Sequence, residues 1–175
     1  MMQQLWNRLQ LLFGHGRGTV VGNDRVQVSA LDGEPLENIK RVEPYGFSYR
    51  PHPGCEAYIL FPSGDRSYGA AMILGDKKYQ MTLKHGEVAV HDDQGQSVHL
   101  TRTGIVVTGA GLPVTITDTP KVRIEAPLLE VTGDIKDRCD EAGRSMQSMR
   151  EVYDIHVHPE NDAGGPTDVP NQGMN

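Results

Sequence analysis

Aromatic residues are scarce in this chain, 6% of 175 residues with a single tryptophan. With an apolar share of 37%, that is little material for a deep globular core. Burial between identical chains is the natural remedy for such a composition. Cysteine is nearly absent too. Cys55 and Cys139 lie in segments of different character, which excludes a disulfide framework and a zinc site of the paired-cysteine kind. They are read as structural thiols of a chain made in a reducing cytoplasm. Basic residues are outnumbered, 17 against 23 acidic ones, and no run of five or more occurs. A phosphate-binding surface needs clustered Lys and Arg, so nucleic acid is not an expected partner of a chain with net charge −6. No apolar run approaches the length that spans a bilayer. The first residues lack a charged leader and a small-residue cleavage site, so no secretion signal is expected there.

What the chain does have is turn residues, 20 glycines and 11 prolines, the mark of many short strands. Residues 1–16 read as a short amphipathic helix, with Leu5, Trp6, Leu9, Leu12 and Phe13 on or near one side. Residues 17–82 read as a small OB-like barrel. Its strands are residues 18–22 and 25–29 around the Gly22-Asn23-Asp24 turn, then 58–61 and 69–74 joined by Pro62-Ser63-Gly64-Asp65. OB barrels often bind oligonucleotides or sugars. Here the aromatic residues are dispersed and basic residues do not interleave with them, so a ligand groove is not expected.

Over residues 83–135 the pattern changes. Six apolar pairs at spacing two recur: Val88/Val90, Val98/Leu100, Ile105/Val107, Val114/Ile116, Val122/Ile124 and Leu129/Val131. Spacing two puts both members of a pair on one face of a strand. Each strand is too short for its own core, and the connections are too short for the crossings of an ordinary sandwich. The repeat predicts an intertwined β-helix shaft in which rungs cover one another. With three chains sharing it, six layers at roughly 4.8 Å give a stiff shaft about 29 Å long.

Residues 136–175 form the predicted apex. Ala142, Met146, Met149 and Tyr153 make a helical seam, with Asp137, Asp140 and Glu141 near its start and Arg150 near its end. That seam could pack around a threefold axis or against the last rungs, and the spacing leaves both open. From Asn161 the chain is turn-rich. His15, His52, His85, His91 and His99 are isolated and read as surface or loop residues, whereas His156 and His158 alternate with Val157 before Pro159. In an extended stretch both imidazoles project from one side, about 6.6 Å apart along the backbone. Two ligands make a poor site, but three chains at an axis bring six nitrogens, which suit iron(II), nickel or cobalt better than zinc. Such a closed site would be structural. A His-x-His pair also occurs in amidohydrolases and cupins, which need further ligands on a long barrel after it. No zinc-protease, nucleophile-elbow or phosphate-loop motif is present, so no catalytic residues are expected.

The order of these segments resembles the baseplate spike proteins of Mu-like contractile-tailed phages, the family called baseplate assembly protein V. Carrying the resemblance are Arg25-Val-Gln-Val, residues 53–65 followed by 69–75, the valine-rich repeats, and residues 144–159 ending His-Val-His-Pro. It implies a homotrimer whose barrel joins tail hub and baseplate proteins, and whose triple β-helix ends in an apex. There an iron ion, one per trimer, is held by both histidines of each chain, which map onto His156 and His158. The resemblance further implies a non-enzymatic virion protein at the baseplate tip, made in the host cytoplasm. On sheath contraction it would lead the tube through the host outer membrane. A host-receptor or glycan-binding tail tip is the alternative expectation. The methionine-containing helix before the histidines departs from the family pattern.

Overall fold

A computed structural model describes residues 2–30, 33–159 and 164–174; the start of the turn-rich stretch from Asn161 lies outside the described residues. The chain is mainly β and divides into two compact units, Met1–Thr115 and Ile116–Asn175.

The first unit opens with helix α1 (Met2–Gln10) and then a closed barrel of β1 (Phe13–Val21), β2 (Arg25–Ser29), β3 (Pro35–Arg41), β4 (Glu56–Leu60) and β5 (Ala70–Gly75). Strand order is β1-β2-β3-β5-β4, with β1 closing on β4. Only β3 and β5 run parallel. Alternation puts Val26 and Val28 of β2 and Ala57 and Ile59 of β4 inside, where Phe61 and Cys55 complete the best-buried core. Burial pushes the Cys55 thiol pKa up, which suits a packing role and not a reactive one. The other cysteine, Cys139, is exposed.

Two features of the barrel differ from the sequence expectation. The helix stops at Gln10, and Phe13, grouped above with its apolar side, pairs with Leu60 in β1. The reason lies in Gly14 and Gly16: a β-carbon on Gly14 would stand 2.8 Å from the Phe61 ring, and one on Gly16 2.3 Å from the Ser29 carbonyl oxygen. Glycines here let β1 press onto its neighbours, and glycine is a weak helix former. Strand β3, unassigned above, buries Leu36, Ile39 and Arg41 at uneven intervals. Asn38 sits at φ 60° and opens a bulge, so Val26 and Val28 face Ile39 and Leu36 with an extra residue between.

Arg41 is the one charged residue buried as a whole among the described residues. Its guanidinium donates to the carbonyls of Gly22 (2.6 Å), Asn23 (2.9 Å) and Tyr49, pairs with Glu43, and stacks on the Tyr49 ring at 5.3 Å. One cation thereby organises the Pro- and Gly-rich loop that apolar packing does not reach.

Past the barrel, β6 (Val88–His91), β7 (Ser97–Leu100) and β8 (Ile105–Thr108) form a three-stranded antiparallel sheet. From 109 to 145 the chain holds no helix or strand, only a bridge between Lys136 and Ser145. Helix α2 (Met146–Ile155) follows, its first turn capped by the Ser145 hydroxyl, which accepts from the Ser148 N–H. Ala142, Asp137, Asp140 and Glu141 therefore precede the helix instead of starting it, and Arg150 falls in its middle. After Leu74 no described residue is buried.

Candidate metal-binding apex and apolar face

His156 follows directly on the last turn of α2 in extended conformation (φ −71°, ψ 145°). Its Nδ1 lies 2.6 Å from the Tyr153 carbonyl oxygen. A carbonyl only accepts, so Nδ1 carries the proton and the Nε2 lone pair is left free for a ligand. This fixed tautomer is the usual companion of a metal-binding histidine. The His158 ring stands edge-on to that of His156, centroids 5.1 Å apart. The two rings thus share one side of this segment, as alternation requires. Among the described residues, no cluster of three or more His, Cys, Asp or Glu side chains could hold an ion, so one chain brings this pair alone.

Four of the other five histidines make contacts of their own away from this pair. His15 packs on Tyr58 at 4.7 Å, and His91 contacts the Asp92 carbonyl. His52 Nε2 lies 2.7 Å from Asp93, whose carboxyl is held below its ordinary pKa chiefly by that bond. His99 Nε2 lies 3.3 Å from Glu87, with its side chain only 21% exposed. Glu87 also accepts from the Lys84 N–H, the main cause of its lowered pKa, and from the Arg102 N–H. Reading His52 and His99 as plain surface residues missed these contacts. Their partners lie 41 and 12 positions away, beyond the reach of local pattern.

The sheet presents a second candidate surface. Val88 pairs with Leu100 and Leu100 with Ile105, while Val90 pairs with Val98 and Val98 with Val107. Three of the six apolar pairs thus fall into two rows on one face, and every side chain in those rows is exposed. The other three pairs, Val114/Ile116, Val122/Ile124 and Leu129/Val131, are exposed as well. Beside the barrel lies an open cleft of about 670 Å³, lined by Tyr49, Arg50, His52, Tyr58, Ile73 and Tyr79 among others. Much of its polar rim is engaged within the chain: His52 with Asp93, Lys77 with Glu56 at 3.1 Å, and Arg50 Nε with the Val21 carbonyl at 2.9 Å.

Residues 22–78, from the turn after β1 to just past β5, match the family model described as Bacteriophage Mu Gp45, N-terminal. Over 142 residues the chain is 26% identical to the baseplate puncturing device gp45 of Escherichia phage Mu, covering 78% of this chain and 71% of that protein. Both matches are to a phage Mu protein, and they support a phage baseplate spike role. The likeness supports a place for this chain among the Mu-like baseplate spike proteins, the Gp45 family.

Proposed function

We propose that this chain is the non-enzymatic central spike of a contractile tail, a homotrimer that plugs the tube tip and pierces the host outer membrane on contraction. The observation that carries this reading is the uncovered apolar pairs. Twelve aliphatic residues at fixed spacing, all exposed in one chain, call for identical neighbours to cover them. Residues 83–135 of three chains would wind into an intertwined β-helix, and residues 136–175 would form its apex. Residues 17–82 would connect this shaft to tail hub and baseplate proteins; the Mu relative is named a baseplate puncturing device.

At the apex, His156 and His158 of each chain would converge on one ion per trimer. Six imidazole nitrogens leave no open position, so the ion would serve as a structural clamp on three chain ends that otherwise fray. The free Nε2 of His156 fits such a ligand set. Iron(II) is the metal that an all-imidazole octahedral site and bacterial supply favour, with nickel or cobalt as substitutes. A glycan- or receptor-binding tip is not favoured, because the polar rim of the barrel cleft is so largely committed within the chain.

Solution mass together with metal analysis tests the proposal. A trimer with about one iron per three chains is expected, the ratio following from six-coordinate imidazole ligation. The double variant His156→Ala/His158→Ala should remain trimeric, lose the metal and melt at a lower temperature. Unchanged metal content in that variant would overturn the assignment of the site, and a monomeric parent would overturn the shaft.

A further inference from the structure

We propose that Thr167 is a positioning residue for the histidine pair, and that residues 164–174 act as a clasp which presets the pair for ligation. The proposal rests on the reading of His156 and His158 as metal ligands. The Thr167 N–H donates to the His158 carbonyl at 2.9 Å, and the His158 N–H donates to the Thr167 hydroxyl oxygen at 2.9 Å. One residue therefore satisfies both backbone polar groups of the second histidine. Farther along, the Met174 N–H donates to the Asp154 carboxylate at 2.9 Å. The two contacts bracket His156, whose own ring is tied to Tyr153.

This arrangement meets a specific need. His156 is the C-cap of α2, and His158 lies two residues farther on and outside any sheet, where no helix or ladder fixes its backbone. A ligand strand left free must be ordered when the ion binds, and that ordering subtracts from affinity. Hydrogen bonds that hold ligands in place beforehand remove the cost, and losing such an outer partner weakens metal binding by about 10–100-fold. Thr167 supplies the fixing through the peptide of His158, whereas Tyr153 supplies it through the ring of His156.

The test compares the full-length trimer with Thr167→Val, which keeps the shape and removes the acceptor oxygen, and Thr167→Ser, which keeps the oxygen. Each is loaded with iron(II), and release to an excess of chelator is timed. Thr167→Val should release iron at least about tenfold faster, with Thr167→Ser close to the parent. In metal-free protein, hydrogen exchange at the His158 amide should lose protection in Thr167→Val and retain it in Thr167→Ser. Unchanged release and unchanged protection in Thr167→Val would overturn the role, as would a serine variant behaving like the valine one. A parent trimer that takes up no iron would refute the metal reading and this role with it, an outcome visible before any variant is made.

Discussion

The barrel and the segment after it use the same alternating apolar pattern to opposite effect. In β2 and β4, Val26, Val28 and Ile59 vanish from solvent, at 0–1% exposure, because the sheet curls and closes on itself. In β6, β7 and β8 the valines are as regularly placed, yet Val90 and Val107 keep 58% and 59% exposure. The difference is closure. A five-stranded sheet with a parallel β3–β5 seam makes an inside, whereas three four-residue strands make only a face. Period-two patterning declares that a face is to be buried; it leaves open whether the chain's own strands or a neighbour's will cover it.

Charging the repeat should give the largest effect on that contrast. Val98→Glu with Val107→Glu places two carboxylates side by side on the apolar face. Sedimentation should show complete loss of the proposed trimer at micromolar concentration, while far-ultraviolet circular dichroism still reports a folded barrel. Retention of the trimer would mean that the face is covered some other way. Phe61→Ala probes the opposite region. Truncating this buried core side chain should cost about 3–5 kcal/mol of barrel stability in urea titration and leave the proposed assembly through the repeats intact. If both variants failed together, the two regions would be one cooperative unit, and the contrast would be lost.

Acid gives the smallest and most selective effect. Glu87, Asp93 and Asp134 are held below the usual carboxylate range, chiefly by the Lys84 N–H, His52 and the Ser145 side chain respectively. None of the three lies in a barrel strand; Asp65, in a barrel connection, is lowered by its bonds to Ser67 two residues on. A carboxyl with a lowered folded pKa stabilises above its unfolded value, near 4, and that contribution is lost as pH falls through the folded value. Below about pH 4, amide protection near Lys84, Arg102 and Gln147 should therefore fall before that of β2 and β4. Simultaneous loss in both regions would contradict this ordering.

Much of the fold was legible because it is local. Strands β1, β2, β4 and β5 announce themselves by alternation between Gly, Asn, Asp and Pro turns, and Pro159 correctly marks an extended stretch around the histidines. Strand β3 was not legible, since the Asn38 bulge converts a two-residue spacing into three between Leu36 and Ile39. The end of α1 was hidden by apolar residues that continue from helix into strand, with the decision made by the close packing of Gly14 and Gly16. Around His156 and His158, the shared side of the two rings follows from their spacing, but not the Tyr153 contact that sets a tautomer or the Thr167 bonds. Those depend on where the chain returns, and no periodicity encodes a return.

The sheet edges of β6 and β8 also bear on time. Each hydrogen-bonds on one side only within the sheet, which leaves a row of backbone donors and acceptors open. The barrel can complete itself at a rate independent of concentration, since every strand it needs is in the same chain. The repeats, on the proposed reading, must await two other chains, so their ordering slows as the protein is diluted. A newly made chain would pass through an interval with a finished head and an unfinished, adhesive stem. On that reading the stem would be open to proteases and stray sheet edges during the interval, and the yield of trimers would depend on how quickly three copies meet.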